Sequence, residues 1–360
     1  MRAAVLTEYR QPLEIERLGA PDLWPTGVRV RIDASGVCHS DLLIQQGDIP
    51  FPLPVILGHE GAGTVLETGD AVTRVSVGDR VICSFLPACG DCWYCLRGRS
   101  NLCEGLLEHM ISSRGPRADG STAFGMSGLG TFSDELVADQ GMVVPVRTDL
   151  PAEQLALIGC GVTTGLGAVL NQAKVEPGSS VAVIGCGGVG QAAIQGARIA
   201  GAARIFAIDP IESKRTAALG FGATDTIDPN DGDPIEQIRA ATDGRGADYA
   251  FEAVGRAEAI SQAYATIGKG GTAVIIGMPP MDATVTFSAV ELMGSDKRLA
   301  GCIYGSAHVR RDFPRFVELA ETGRLDLESM VTRRIELHDV NDALAAVGRG
   351  EVIRSVICKH

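Results

Sequence analysis

The chain has 360 residues, more than one ordinary hydrophobic core accommodates, so its length predicts two domains. Its composition, 45% apolar and 21% charged residues, is typical of a globular protein. We find no apolar run long enough to cross a bilayer and no signal peptide, which predicts a cytoplasmic protein. The net charge of −12 without a basic block argues against nucleic acid or a membrane as partner, and the ten cysteines indicate metal or catalytic roles before disulfides.

The opening segment alternates apolar and polar residues between prolines and glycines, which predicts short strands at 3–6, 13–16 and 28–34. Directly after the third strand, Cys38-His39-Ser40-Asp41 brings a thiol, an imidazole, a hydroxyl and a carboxylate to the point where the strand enters a turn. A rigid scaffold commonly presents chemistry at such a point. A weak helical stretch is predicted over 41–46. A lone cysteine is more often a core residue than a ligand, so the following segments decide its interpretation.

The segment Gly58-His59-Glu60-Gly61 puts an imidazole beside a carboxylate among small residues. Taken alone, it favours a glycine-rich strand bend with a surface histidine. Strands are predicted at 64–67, 135–138 and 142–145, and 75–82 is predicted to be a turn that enters another strand. The stretch after residue 104 is predicted to begin as a loop. A helix is predicted to start at 151–154. Cys160 follows between two glycines, and its local sequence by itself again favours a core residue over a ligand.

Four cysteines lie within fifteen residues, and the first three are each separated by two residues: Cys89, Cys92, Cys95 and Cys103. Four thiolates fill the tetrahedral shell of Zn²⁺ and leave no position for a substrate, so the spacing predicts a structural zinc lobe over 89–103. An iron–sulfur cluster is the competing interpretation, because it also uses four cysteines. A pair of disulfides is the third.

The character of the sequence changes near residue 160. A continuous apolar run at 180–184 predicts a strand buried on both faces of a parallel sheet. It leads into Gly185-Cys186-Gly187-Gly188-Val189-Gly190, then a helical pattern at 192–200, and a second strand at 204–208 ends at Asp209. This context is specific for dinucleotide binding: Gly185 permits the turn, Gly187 admits the pyrophosphate and Gly190 allows close packing. Asp209 would accept hydrogen bonds from the adenosine ribose and repel a 2′-phosphate, which favours NAD over NADP.

Further βα units follow, with strands predicted at 249–254, 272–276 and 298–301 and a helix at 257–267. Helices at 313–322 and 339–349 and a closing strand at 352–358 complete the chain. The alternation of strands and helices predicts an α/β fold with a doubly wound parallel sheet after the β-rich first part.

The motifs at 36–41, 58–60, 89–103, 159–161 and 185–190 occur in the order of one family, and the chain resembles the zinc-containing medium-chain alcohol dehydrogenases over nearly its whole length. The resemblance implies a GroES-like β-rich catalytic domain, residues 1–160 and 301–360, into which a Rossmann NAD-binding domain, residues 161–300, is inserted. It also implies a homodimer or homotetramer joined near 280–300, two Zn²⁺ per chain, and reversible hydride transfer between a small alcohol or aldehyde and NAD.

Carried over by position, the resemblance makes Cys38, His59 and Cys160 the ligands of the catalytic zinc, with one coordination position open. Asp41 would orient His59, Glu60 would lie close to the metal, and Ser40 would accept the proton of the alcohol. Phe85 would line the substrate pocket. The residues implied to bind the cofactor are His39, Thr164, Gly185, Gly187, Gly188, Val189, Gly190, Asp209, Lys214 and Arg354.

Two departures from the family pattern bear on the substrate. Many members have a histidine where this chain has Leu43. Some branches that take aromatic or allylic alcohols also lack it, so a bulky apolar primary alcohol is predicted. The formaldehyde dehydrogenases that act on a thiol adduct have an arginine where this chain has Leu107, which weakens that alternative. A zinc-bearing nucleotide-binding protein without catalysis and a zinc-free quinone reductase of similar fold are further alternatives, disfavoured because the open-site ligand set, Ser40 and the four-cysteine lobe are all present.

Overall fold

The computed structural model describes residues 1–106 and 112–359. Leu107, the position that bears on the thiol-adduct alternative, lies outside this part of the chain. The chain forms two compact units: Met1–Gly161 together with His308–His360, and Val162–Ala307. The first boundary lies one residue from the predicted one, and the second lies at residue 307 where 300 was predicted.

The first unit is built mainly from two sheets. Its strands are β1 Arg2–Leu6, β2 Glu14–Arg17, β3 Gly27–Val37, β4 Val55–Ile56, β5 Glu60–Thr68, β6 Arg80–Cys83, β7 Ser113–Pro116, β8 Thr122–Gly125, β9 Glu135–Asp139, β10 Val143–Pro145, β17 Val331–Glu336 and β18 Arg354–Lys359. One sheet has the order β2-β1-β4-β8-β7, and the other has the order β10-β6-β5-β3-β18-β17 with β9 also paired to β3. The predicted β-rich domain is therefore present.

Strand β3 organises the second of these sheets. It pairs antiparallel with β5, β9 and the last strand β18, where Ser355 lies opposite Val37. The buried faces carry alternate apolar residues such as Val28, Val30 and Ile32, as expected for strands with one face in a core. The carboxyl end of β3, the amino end of β5 and the amino end of β18 consequently meet at one place, and this is where Cys38, His59 and Arg354 occur in the chain.

Short helices complete the first unit: His39–Gln46, Ala152–Leu157, Val309–Glu321 and Val340–Gly348. The first begins two residues before the predicted helical stretch. Strands β7 and β8 lie in the segment that was predicted to begin as a loop, and that prediction was incomplete. Their sequences, Ser-Arg-Gly-Pro and Thr-Ala-Phe-Gly, have too few apolar residues for an alternating pattern to be visible.

The second unit is a parallel sheet of six strands in the order β13-β12-β11-β14-β15-β16. These strands are β11 Ser180–Ile184, β12 Arg204–Ile208, β13 Asp225–Ile227, β14 Ala247–Glu252, β15 Ile267–Ile275 and β16 Arg298–Gly301. The helices that follow them are Gly188–Ala200, Glu212–Phe221, Pro234–Ala241, Ala257–Thr266 and Ala289–Gly294. This strand order defines a Rossmann sheet, so the predicted α/β fold class is confirmed.

One helical run, Ala152–Ala173, contains π-helical turns at Ile158–Val162 and Ala168–Ala173. By length and composition alone it could cross a membrane, but 78% of its apolar window is buried inside the protein. The segment contains Glu153, Gln154, Thr163 and Thr164, so it is not an uninterrupted apolar run. Burial of this extent is typical of the core helix of a globular protein, since a core helix is apolar on most sides.

Candidate functional site

The first group of functional side chains is organised by Asp41. Cys38 caps the helix His39–Gln46 with extended backbone, and its N–H donates to Asp41 Oδ2 at 2.7 Å. The other carboxylate oxygen, Oδ1, accepts the N–H of Gly58 at 3.0 Å and lies 3.2 Å from His59 Nδ1. Asp41 is fully buried. A single carboxylate therefore joins the two segments that carry Cys38 and His59.

The imidazole of His59 presents its second nitrogen to the site. Because Nδ1 is held by Asp41, Nε2 is free to bind a metal ion, which is the usual arrangement of a metal-binding histidine. The Ser40 hydroxyl lies 3.3 Å from this Nε2. His59 is buried, so the surface position favoured by its local sequence alone is wrong. The strand pairing of β3 with β5 buries it, and local sequence does not report that pairing.

Cys160 completes this group from the π-helical turn Ile158–Val162. Ligand atoms of Cys38, His59, Glu60 and Cys160 all lie within 4.8 Å of one another, and all four residues are buried. Two thiols and an imidazole are donors that zinc prefers, with bond lengths of about 2.0–2.3 Å. The residues therefore form a candidate zinc site, and the fourth protein group is a carboxylate that is already paired.

The partner of Glu60 is Arg354, 294 residues away in the chain. Glu60 Oε1 lies 3.1 Å from Arg354 Nη2 and also accepts the N–H of Gly161 at 3.1 Å. Oε2 has no hydrogen-bond partner in the described part of the chain, and a Cβ on Gly36 would approach it to 2.2 Å. The guanidinium also lies 3.7 Å from Cys38 Sγ. The pair was not foreseen from the sequence, because nothing local links a strand at 60 with one at 354.

Burial and charge shift the protonation equilibria of this group. Burial raises the pKa of Glu60 to about 7 against the opposing charge of Arg354. The hydrogen bond with Cys160, together with the charges of Arg354 and His59, holds the pKa of the Cys38 thiol well below its ordinary value despite burial. Burial disfavours protonation of His59, but Asp41 more than offsets this and the pKa of His59 is raised well above its ordinary value. The site therefore favours a thiolate at Cys38.

The second group is the four-cysteine lobe. The Sγ atoms of Cys89 and Cys95 are 3.8 Å apart and those of Cys92 and Cys103 are 4.0 Å apart. Four thiolates at about 2.3 Å from one tetrahedral ion lie about 3.8 Å from each other. These distances fit a single Zn²⁺, are about twice a disulfide bond of about 2.05 Å, and are short for a cluster in which each thiolate binds a different iron. The lobe is a second candidate metal site, closed to substrate.

Backbone N–H groups and the Arg74 side chain hold the four-cysteine lobe in this shape. The N–H groups of Asp91 and Cys92 point to Cys89 Sγ at 3.4 Å. Arg74 donates to the carbonyl oxygens of Ala88 and Cys89 at 3.0 and 2.7 Å. Sequence reasoning did not single out Arg74, because its contacts depend on the fold that brings residue 74 close to residues 88 and 89.

The nucleotide-binding turn lies in the second unit, between β11 and the helix Gly188–Ala200. Gly185 has φ +89°, and a Cβ on Gly190 would approach the Gly185 carbonyl oxygen to 1.8 Å, so both positions require glycine. A Cβ on Gly187 would meet nothing within 4 Å, which leaves the backbone there open to a ligand. Gly188 and Val189 form the first turn of the helix, whose free N–H groups suit a phosphate.

Asp209 at the end of β12 supports this turn. Its two carboxylate oxygens accept the N–H groups of Cys186 at 2.8 Å and Ile211 at 2.9 Å. Gln191, which sequence reasoning missed, donates from Nε2 to the carbonyl oxygens of Cys186 and Lys214 at 3.0 and 2.9 Å. The Gly-rich turn and the start of the helix Glu212–Phe221 are therefore tied together.

The remaining predicted residues are located as follows. Phe85 is half-buried and meets the His59 ring edge-on, with centroids 5.5 Å apart. His39 is exposed, and Ser40 is half-buried. Thr164 lies in the helix Thr163–Gly167 of the second unit, whereas His39 and Arg354 belong to the first. The structure thus brings together Cys38, His59 and Cys160 with Ser40, Asp41, Glu60, Phe85 and Arg354.

Known proteins match this chain over its whole length. The family models for an alcohol dehydrogenase GroES-like domain and a zinc-binding dehydrogenase match residues 25–148 and 188–322. S-(hydroxymethyl)glutathione dehydrogenase of Synechocystis sp. is 39% identical over 99% of this chain and 99% of its own. Benzyl alcohol dehydrogenase of Acinetobacter calcoaceticus has a TM-score of 0.93 at 30% identity, covering 100% of this chain and 99% of that chain. A zinc-binding dehydrogenase of Sinorhizobium meliloti, solved with NADP, has a TM-score of 0.83 at 28% identity, covering 99% and 98%.

The chain belongs to the zinc-dependent medium-chain dehydrogenase/reductase family of alcohol dehydrogenases. The resemblance drawn from the sequence motifs is confirmed. The protein is an enzyme of this family, which acts on small alcohols and aldehydes, and it carries two candidate metal sites.

Proposed function

We propose that the protein is an NAD-dependent zinc alcohol dehydrogenase that interconverts a bulky apolar primary alcohol, aromatic or allylic, and its aldehyde. The observation that carries this proposal is the buried cluster of Cys38, His59 and Cys160, with the Ser40 hydroxyl 3.3 Å from His59 Nε2. Three protein ligands of this kind leave one coordination position open, as catalytic zinc sites do.

The chain's own residues have separate tasks in this proposal. Cys38, His59 and Cys160 hold the zinc ion, which supplies a Lewis acid that polarises the substrate oxygen when bound. Asp41 fixes the orientation of the imidazole. Ser40 accepts the proton of the alcohol, and Leu43 at the usual relay position means that water or another group carries that proton onward.

Glu60 lies close to the metal ligands. Its Oε1 pairs with Arg354 and accepts the N–H of Gly161, which holds the carboxylate beside the ligands, whereas Oε2 has no hydrogen-bond partner among the residues that the structure describes. The resemblance assigns Arg354 and His39 to the pyrophosphate of the cofactor, and that assignment remains a proposal. Cys89, Cys92, Cys95 and Cys103 hold a second zinc ion that stabilises the lobe.

NAD is the proposed cofactor, bound by the second unit. The Gly-rich turn 185–190 takes the pyrophosphate, Asp209 and Lys214 take the adenosine ribose, and Thr164 and Val189 flank the nicotinamide. A carboxylate at the end of β12 disfavours a 2′-phosphate, which supports NAD. The relative from Sinorhizobium meliloti was solved with NADP, and the ratio of kcat/KM for NAD to that for NADP tests the preference of this enzyme.

The aromatic edge of Phe85 against His59 supports a bulky apolar substrate, because it lines the space beside the metal ligands with an aromatic ring. The similarity to a benzyl alcohol dehydrogenase points the same way. A second candidate is a formaldehyde dehydrogenase that acts on a thiol adduct, glutathione or mycothiol, and the similarity to S-(hydroxymethyl)glutathione dehydrogenase of Synechocystis sp. favours it.

We also propose a cytoplasmic homodimer or homotetramer joined through the segment near 280–300. Large apolar side chains are exposed there, with Met281, Val290 and Met293 exposed by 85, 72 and 75%. Large exposed apolar side chains are expected where a protein interface would bury them. Sedimentation of the purified enzyme tests the assembly, and a monomer at micromolar concentration contradicts it.

Metal content per chain and NADH absorbance on alcohols from ethanol to benzyl alcohol and geraniol test the proposed activity. Two zinc ions and the fastest NAD reduction with the large alcohols are expected. Turnover only with formaldehyde plus a thiol supports the second candidate. One zinc ion without turnover contradicts the assignment of Cys38, His59 and Cys160.

A further inference from the structure

Glu252 is a buried acidic residue of the second unit to which the proposed function gives no task. It is the last residue of β14 and is fully buried. In the parallel pairing of β11 with β14, Glu252 lies beside Ile184, the residue directly before the Gly-rich turn. A carboxylate is therefore enclosed at the carboxyl end of the sheet, next to the segment proposed to take the pyrophosphate.

The carboxylate oxygens of Glu252 have different surroundings. Oε1 accepts the N–H groups of Val254 at 2.8 Å and Gly255 at 2.6 Å. Oε2 has no hydrogen-bond partner within residues 1–106 and 112–359, and it faces Gly277, where a Cβ would approach it to 2.9 Å. Burial raises the pKa of Glu252, whereas backbone N–H donors favour its charged form. Glu252 thus accepts two N–H groups through Oε1, whereas Oε2 has no hydrogen-bond partner in the described part of the chain.

The sheet topology locates Glu252 relative to the cofactor. Strands β12 and β13 lie on one side of β11, and β14, β15 and β16 lie on the other, so the strand order reverses between β11 and β14. Dinucleotides bind across the carboxyl ends of the strands at such a reversal. Asp209 directly follows β12 and is proposed to hold the adenosine ribose, so we expect the nicotinamide half to extend toward β14 and β15, the side where Glu252 ends its strand.

The two redox forms of the cofactor differ in charge at that half. The oxidised nicotinamide ring is a cation, and the reduced ring is neutral. A buried carboxylate attracts the cation more strongly than an exposed one does, because the surrounding protein has a lower effective dielectric constant than water. The same carboxylate has no comparable attraction for the neutral ring.

We propose that Glu252 is a specificity-determining residue that favours the oxidised over the reduced cofactor by its buried negative charge. The proposal rests on the proposed function, since it needs a nicotinamide dinucleotide in this unit. For an assumed charge separation of about 10 Å and an effective dielectric constant of about 20, the preference is on the order of tenfold. Partial screening by salt lowers it to about fivefold.

A purely structural role makes a different prediction. If Glu252 only holds the turn after β14 through Val254 and Gly255, its replacement weakens the binding of both redox forms equally. Glu252→Gln separates the two roles, because the amide oxygen still accepts both N–H groups while the charge is removed. ADP-ribose, which lacks the nicotinamide, reports the adenosine and pyrophosphate contacts alone.

The experiment compares the dissociation constants of NAD⁺, NADH and ADP-ribose for the full-length zinc-loaded enzyme and its Glu252→Gln variant, by calorimetry and by NADH fluorescence. The ratio of the NAD⁺ constant to the NADH constant is expected to rise about fivefold, with ADP-ribose binding unchanged. An equal loss for NAD⁺ and NADH overturns the proposal. Absence of binding of all three ligands to the unaltered enzyme instead overturns the proposed nucleotide site.

Two further variants serve as the control and the substitute for Glu252→Gln. Asp248→Asn removes the same charge from the amino end of the same strand, where the carboxylate accepts Ser180 N–H at 2.7 Å, and the ratio should stay at the value of the unaltered enzyme. If Glu252→Gln does not fold, as judged by circular dichroism, Glu252→Ser removes the charge in a smaller side chain. The same rise in the ratio is expected for it, and an unchanged ratio overturns the proposal.

Discussion

The buried carboxylate of Asp41 supports the proposed catalytic zinc site through three hydrogen bonds, and Asp41→Asn tests that support. An asparagine can keep Oδ1 toward Gly58 N–H and His59 Nδ1, but its NH₂ group then faces the N–H of Cys38. The 2.7 Å hydrogen bond from Cys38 N–H to Asp41 Oδ2 is thereby lost. In its place the Cys38 N–H and the asparagine NH₂ group, both donors, face each other at a fully buried position.

The expected fall in the free energy of unfolding follows from the loss of the hydrogen bond between Cys38 N–H and Asp41. A hydrogen bond to a charged group contributes about 1.5–3 kcal/mol, and a buried donor left without an acceptor costs about 1–3 kcal/mol. We therefore expect the free energy of unfolding to fall by about 2–4 kcal/mol. Loss of a carboxylate that orients a metal-binding histidine typically lowers metal affinity about 10- to 100-fold, so the zinc ion at Cys38, His59 and Cys160 should also be lost more readily.

Urea unfolding of the zinc-saturated protein measures the first effect, and zinc content per chain during dialysis against a chelator measures the second. The variant should lose one zinc ion early and keep the ion of the four-cysteine lobe. Asp33→Asn is the control, because that carboxylate is partly exposed and bonds Arg31 and Thr64, so its loss should cost at most about 1 kcal/mol. Equal stability and equal zinc retention in Asp41→Asn and the unaltered enzyme refute the reasoning.

Three further substitutions test other parts of the structure. Cys95→Ser leaves the lobe with three thiolates, so zinc content should fall by one ion per chain and the thermal unfolding temperature should drop, because metal binding contributes to folding. Asp209→Gly should raise the kcat/KM for NADP relative to NAD, because the carboxylate no longer opposes a 2′-phosphate. Gly36→Ala inserts a methyl group 2.2 Å from Glu60 Oε2, so the free energy of unfolding in urea should fall by about 1–3 kcal/mol.

Specific outcomes contradict these expectations. A Cys95→Ser protein with normal thermal stability and one zinc ion fewer would show that the lobe does not depend on its metal. Unmeasurable NADP use with unchanged NAD affinity in Asp209→Gly excludes the proposed role of Asp209. Gly78→Ala is no matched control for Gly36→Ala because Gly78 has φ +92°, whereas Gly301→Ala is suitable, since its Cβ would meet nothing within 4 Å.

Motifs whose members are close in the chain were predictable from the sequence. The four cysteines of the lobe lie within fifteen residues, and the Gly-rich turn lies between a buried strand and a helix, so spacing and local pattern carry the prediction. The two short strands β7 and β8 were not predicted, because strands of four residues without alternation depend on the sheet they join.

Interactions between distant segments needed the tertiary structure. Local sequence favoured a surface position for His59, yet pairing of β3 with β5 buries it against Asp41. The Glu60–Arg354 pair and the enclosed carboxylate of Glu252 likewise follow from which strands are neighbours.

By itself, the sequence determined the kinds of metal and nucleotide donors and the fold class, because donor chemistry and hydrophobic periodicity are local properties. The resemblance to a family supplied the grouping of Cys38, His59 and Cys160. Only the tertiary structure decided which buried charges face each other, because strand register sets those contacts and a shift of one residue turns a side chain to the other face of the sheet. The electrostatics of the site depend on that register, which is why the Glu60–Arg354 pair and the burial of Glu252 are visible only in the folded chain.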